Sequence, residues 1–380
     1  PAILRSDVAM LRAADRPGFS SSDEATTPPI APIGDAEGLD AVGLDAEGLD
    51  AADPPTSSPV TPDAASSTVA PATVPAPSTV APSTLPATDS PSETDDAAIV
   101  PLPFGPAPTE PIQVPDDLGQ GDVDTDFTEK TGCVNEVPTT VDDCTTVEGP
   151  GLRILLLGDS HASKLNVVFN DWGSRNGYTV ATISGNGCPW QDGLLYRDAL
   201  PVEAAKQFCR DQRDAVYDWY ADDFAADVVV IANHDQTTEN YGVVPRPERG
   251  TAAELAGLDL IRTTSAVSLD RLADTSGRVV VLEPMANSPF HPINCLSAAE
   301  FVDDCAFGLG AWPHVETPIL RELAAERSTV STLDMTPFAC PHFPVCRPIV
   351  DGVAVREDPD HFDVRHTLRI APALMSRLAL

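Results

Sequence analysis

The chain has 380 residues, with 58 acidic against 23 basic side chains and a formal net charge of −35. That sign argues against a nucleic-acid binder, which needs a basic footprint. No apolar run of roughly 18 residues is present, so the sequence offers no membrane-spanning helix.

The charge is unevenly spread. Residues 1–128 carry 22 acidic and 3 basic side chains, a net −19, leaving −16 for residues 129–380. Residues 1–19 read as a terminal or juxtamembrane-like segment, with Arg5, Arg12 and Arg16 among apolar residues. Residues 20–128 read as a disordered acidic, Pro/Ser/Thr-rich linker, too poor in apolar surface to offset the entropy of ordering it. Within it a five-residue repeat runs from Ala36-Glu37-Gly38-Leu39-Asp40 to Ala46-Glu47-Gly48-Leu49-Asp50, a solvated low-complexity pattern without calcium-loop spacing. A tether of about 100 such residues has a mean reach of roughly 50–60 Å. The chain opens at Pro1 without a leader pattern, which reads as a processed or excised N-terminus.

All 8 Cys, all 4 Trp and all 5 Tyr fall in residues 129–380, a normal length for one domain. From residue 150 short apolar strands alternate with helices. Strands are expected at 152–157, 178–183, 227–232, 278–282 and 329–333. Helices are expected at 161–175, 204–223, 251–274, 315–327 and from about 362 to the end. Such alternation builds a parallel sheet covered by helices on both faces, with its site beyond the carboxyl ends of the strands.

The cysteines fall into four local pairs: Cys133 with Cys144, Cys188 with Cys209, Cys295 with Cys305, and Cys340 with Cys346. Eight cysteines allow many connectivities, so local pairing is a hypothesis drawn from their even spacing into loops. An even, loop-placed set points to an oxidising, extracytoplasmic compartment. Without a Cys-x-x-Cys and with seven scattered His, no zinc site is expected.

The chemistry concentrates after the first strand, at Gly158-Asp159-Ser160-His161. A serine on the turn leaving a buried strand presents its hydroxyl at the sheet edge, although serine there is also a common helix cap. A base must take its proton, and a carboxylate must orient that base. Asp358 and His361 have the spacing for one turn to bring carboxylate to ring, if His361 opens the last helix. Asp363 and His366 repeat that spacing. Asp159 and His161 read as bracing residues. Oxyanion donors are sought in the Ser160 backbone N–H at a helix start and in Asn233 after a middle strand, where His234 and Asp235 compete for the role.

Gly158-Asp159-Ser160-His161-Ala162 after an apolar strand, with Asp358-Pro359-Asp360-His361 near the C-terminus, resembles the SGNH (GDSL-like) hydrolase superfamily. More narrowly it is similar to the extracytoplasmic SGNH domain fused to bacterial acyltransferase-3 membrane proteins. The resemblance spans roughly Cys133 to Leu380, including Gly187-Cys188-Pro189 after the second strand. It implies a three-layer α/β/α sandwich with Ser160, His361 and Asp358 as catalytic triad. It also implies a serine-dependent O-acyltransferase, commonly O-acetyl, acting on cell-surface carbohydrate through an acyl-enzyme and needing no metal or organic cofactor. The donor would be delivered by a membrane acyltransferase-3 domain, and the chain would be tethered at the cell surface. The stretch after His361 favours that residue over His366. Phe362 stands where the family has Leu, and Ala232-Asn233-His234-Asp235 replaces Gly-x-Asn-Asp. The second-block glycine is Gly185 or Gly187. Two other functions fit the same residues: a carbohydrate O-acetyl esterase, or a catalytically inactive, stalked glycan-binding module with Trp190, Trp219 and Trp312 as a sugar platform.

Overall fold

The computed structural model describes residues 100–115, 131–196, 203–237, 242–309 and 313–380. The expectations for 1–19, for most of 20–128 and for Trp312 lie outside the described residues.

The central sheet takes β1 (Cys133–Val134), β2 (Thr145–Val147), β3 (Arg153–Gly158), β4 (Thr179–Ser184), β5 (Val228–Ala232), β6 (Arg278–Leu282) and β7 (Val330–Leu333). Its order is β1-β4-β3-β5-β6-β7, parallel throughout, with β2 alone antiparallel against β4. The main helices are α1 (Ser160–Asn176), α2 (Glu203–Ala215), α3 (Gly257–Thr275), α4 (Thr317–Ala325) and α5 (Val364–Arg377).

The central strands β3, β5 and β6 are largely apolar because both of their faces are buried. Ile154 and Leu156 of β3, Val228 and Val230 of β5, and Val280 and Leu282 of β6 join a core with α1 and α5. The alternate residues Leu155, Leu157, Val229, Ile231, Val279 and Val281 join the core on the other face, with Tyr220, Phe224, Leu269 and Leu320. This is the three-layer α/β/α sandwich expected. The chain leaves β3 to one side for β4 and then crosses to β5 on the other, so the carboxyl end of β3 lies at a switch point where such sheets place their sites.

All four cysteine pairs are disulfides with the local connectivity expected: Cys133–Cys144, Cys188–Cys209, Cys295–Cys305 and Cys340–Cys346.

Three expectations need correction. The helix expected from 251 begins at Gly257, because Thr251 is buried and held to Gly193 by its hydroxyl. The 204–223 helix passes through a π turn at Val216–Tyr220 before a last α turn, Ala221–Phe224. Residues 100–115, inside the stretch read as linker, lie along the domain. There Val114 N–H donates to Glu300 O (3.1 Å), Val302 N–H to Ile112 O (2.8 Å) and Arg369 to Pro103 O (3.1 Å). Phe104 stacks on His366 at 5.7 Å between ring centres, and Leu102 packs on the same core. Average composition concealed these few apolar anchors.

Candidate active site

The turn after β3 has little freedom. A Cβ on Gly158 would sit 1.8 Å from the Ala232 carbonyl oxygen of β5, so only glycine fits that close approach. Gly158 O accepts from Gly185 N–H (3.2 Å) and from the guanidinium of fully buried Arg213 in α2 (2.8 Å). Asp159 caps α1, accepting the His161 N–H (2.9 Å), and also takes the His234 N–H after β5 (2.9 Å). The His161 ring nitrogen Nδ1 lies 3.1 Å from the same carboxylate. Burial alone would raise the Asp159 pKa, but His161 and the two backbone N–H donors outweigh it and hold the carboxyl below its ordinary value. Asp159 and His161 thus brace the turn, as their sequence positions suggested.

Ser160 is the first residue of α1. It stands at the strand end with its hydroxyl oxygen Oγ 2.7 Å from His361 Nε2. His361 Nδ1 is 2.7 Å from Asp358 Oδ2, while Asp358 Oδ1 accepts the N–H groups of Asp360 (2.8 Å) and His361 (2.7 Å). One turn therefore brings carboxylate and ring together. His361 precedes the last helix instead of opening it, since α5 starts at Val364 with Asp363 as its cap. Burial would raise the Asp358 carboxyl, but the His361 ring and these N–H groups hold it well below the usual carboxylate range. An ionised acceptor at Nδ1 favours the tautomer with its proton there, in which Nε2 can accept from the serine hydroxyl.

The 358–361 turn is anchored from the connection after β6. Ser288 N–H donates to Pro359 O (2.9 Å), and buried Arg356 bridges Asp360 O (3.3 Å) and Ala286 O. His234 faces the turn as well: its Nε2 is 3.9 Å from Asp360 Oδ1 and 3.0 Å from the Asn287 amide nitrogen, with Nδ1 on Asp235 O (2.7 Å). Burial would lower the His234 ring, but Asp360 and Asp159 outweigh it and raise its pKa.

The other candidates separate. His366 is fully buried, with its Nε2 on Phe338 O (2.8 Å), while Asp363 caps α5 and pairs with Arg365 (3.2 Å). Asn233 lines a cleft shared with His361. Asp235 turns away to Thr237 and His314. The Ser160 N–H, in a first helical turn, has no intrahelical acceptor. Gly187 sits in the loop after β4 at φ 69° and is not part of the cleft, while the Gly185 N–H is spent on Gly158. Trp190 is buried in the core, which removes it from a sugar platform. Sequence reasoning missed Arg213 and Arg356, two buried cations with no local sequence signal, and the role of His234.

Among the described residues one group has metal-ligand spacing, Glu357, Asp358 and His361. A cation there would compete with Ser160 and Asp358 for the same ring, and Glu357 is already paired with Lys164 (2.5 Å).

No curated protein sequence matches the chain. Among solved structures it is similar to the periplasmic domain of a lipopolysaccharide acetyltransferase from Salmonella ser. Paratyphi A. That match has 11% identity and a TM-score of 0.45, covering 69% of this chain and 98% of that one. It is also similar to a mutant acetyl-xylooligosaccharide esterase from Geobacillus stearothermophilus (12% identity, TM-score 0.34, 61% and 96% covered). A third likeness is to a carbohydrate acetylesterase from Sinorhizobium meliloti (14% identity, TM-score 0.32, 60% and 99% covered). Residues 128–375 match the sequence profile of the SGNH domain that is fused to AT3 domains, and the chain belongs to that family.

Proposed function

We propose that Ser160, His361 and Asp358 act as nucleophile, base and orienting acid, and that the domain moves a short acyl group, acetyl in the first instance, to or from carbohydrate outside the cytoplasm. The observation that carries this is the unbroken line Ser160 Oγ, His361 Nε2, His361 Nδ1, Asp358 Oδ2, with 2.7 Å at each hydrogen-bonded step.

In the first half-reaction Ser160 Oγ attacks the acyl carbon of the donor while His361 Nε2 takes the hydroxyl proton. The tetrahedral oxyanion is met by the Ser160 N–H and by the side-chain amide of Asn233. Collapse breaks the bond to the leaving group, which receives the proton from His361, and an acyl-serine remains. In the second half a carbohydrate hydroxyl attacks the acyl carbon, gives its proton to His361 and takes the acyl group as Ser160 regains its proton. Asp358 stays ionised and stabilises the imidazolium in both halves.

Fusion to AT3 domains in the family supports a membrane acyltransferase as donor partner, and four disulfides support an oxidising compartment. No helix among the described residues is long and apolar enough to cross a membrane. A carbohydrate O-acetyl esterase is the second reading. It is favoured by the part exposure of His361 (18% of its side chain), which admits water as the acceptor. The test is turnover of p-nitrophenyl acetate by the whole chain. Ser160→Ala and His361→Ala should each abolish it, and full turnover in Ser160→Ala would overturn the proposal.

A further inference from the structure

A small cleft, open at its mouth, runs beside His361 between the start of α1 and the carboxyl ends of β5 and β6. Leu165, Ala232, Leu282, Met285, Met335 and Phe362 line it, all buried and apolar. Its polar edge is formed by His161, Asn233 and His361, and the last of these holds the serine hydroxyl.

The two formal charges on its wall are already engaged. Glu283 is buried, both carboxylate oxygens are held by Arg321 (2.7 and 2.6 Å), and one also accepts from Thr332 (2.9 Å). Lys164 is paired with Glu357 at 2.5 Å. A sugar ring placed in this cleft would lose water from its hydroxyls and find few partners, a net cost for each buried polar group. An alkyl chain would lose nothing polar and gain by burial.

We infer that this cleft holds the alkyl part of the transferred acyl group, with Met285 and Met335 setting how long that chain can be. The assignment rests on Ser160 as the nucleophile. An acyl carbon bonded to Ser160 Oγ stands beside His361, which lines the cleft, so its tail can enter there while the acceptor hydroxyl approaches from solvent. Propionyl and butyryl groups extend further along the same apolar wall, so the site accepts acyl groups longer than acetyl. Methionine suits such a wall because its unbranched, polarizable chain adapts to what it packs against.

The experiment is a chain-length series with the whole protein, comparing p-nitrophenyl acetate, propionate, butyrate and hexanoate, each with the Ser160→Ala variant as background. Ser160-dependent kcat/KM should rise by about fourfold per added methylene until the cleft is full, and then fall. Met335→Ala should move the optimum to a longer chain and raise the hexanoate-to-acetate ratio about tenfold. Should that variant fold poorly, Ala232→Val fills the cleft instead and should shift preference back toward acetate. Ser160-dependent turnover confined to acetate, with a ratio that neither variant moves, overturns the cleft assignment and leaves the nucleophile standing. Absence of Ser160-dependent turnover with every ester removes the nucleophile and the cleft's role together.

Discussion

His361 and His366 lie five residues apart, each three residues after an aspartate, yet their surroundings differ. His366 is fully buried, donates to Phe338 O at 2.8 Å, and contacts the rings of Phe104 (5.7 Å) and Phe362 (5.3 Å). Burial lowers its ring pKa from the ordinary 6.5 to about 4, and the charges of Arg356 and Arg369 add to that against the Phe338 carbonyl and Asp363. The folded state therefore binds fewer protons than the unfolded chain between these values. The stabilisation is complete above pH 6.5 and is lost as pH falls toward 4. By pH 4.5 this one group should remove about 2 to 3 kcal/mol, or roughly 4 to 6 °C of Tm for a domain near 250 residues.

The perturbation is His366→Leu, of similar volume and unable to titrate. At pH 7.5 it leaves the buried Phe338 carbonyl without its donor and should cost about 1 to 3 kcal/mol. Between pH 7.5 and 4.5 the gap to the wild type should close or invert, since the variant lacks the titrating ring. Urea unfolding at the two pH values reads the difference, and acids elsewhere cancel between the two proteins. Turnover of p-nitrophenyl acetate at pH 7.5 should stay within about threefold in His366→Leu and fall at least about a hundredfold in His361→Ala. A stability gap constant with pH, or equal loss of turnover in the two variants, would refute the reasoning.

Asp358→Asn keeps the shape of the turn but not the charge that fixes the His361 tautomer. It should lower kcat by about 10³ to 10⁴ with little change in KM, measured by steady-state kinetics. Phe104→Ala removes the stack on His366 and a cation–π contact with Arg369, whose charge centre is 5.5 Å from the ring. It should cost about 2 kcal/mol in urea unfolding, whereas a linker position would cost nothing. Gly158→Ala would drive a Cβ to 1.8 Å from the Ala232 oxygen, and expression trials should recover no soluble, active protein.

Where the sequence was legible, the signal was local. The apolar runs of β3, β5 and β6 are continuous because each strand is covered on both faces, so their position and parallel arrangement could be read directly. The disulfides close short loops, so spacing alone suggested their pairing. Ser160 was visible because glycine, aspartate and serine end an apolar strand. What stayed hidden depends on contacts distant in sequence. Arg213 reaches a carbonyl 55 residues away, and Arg356 one 70 residues away. The docking of residues 100–115 rests on a few side chains in a Pro-rich stretch whose average composition argues against order. The stretch after His361 already favoured that residue over His366, and the fold adds the physical difference, burying one ring and leaving the other against a hydroxyl.

The central claim is that Ser160 carries the acyl group. The most direct measurement is mass spectrometry of peptides from the protein rapidly quenched in acid during turnover of p-nitrophenyl acetate. An added acetyl is expected on the peptide containing Ser160, localised to that residue and absent in Ser160→Ala. Acetylation at another residue, or full turnover in Ser160→Ala with no adduct at position 160, would contradict it.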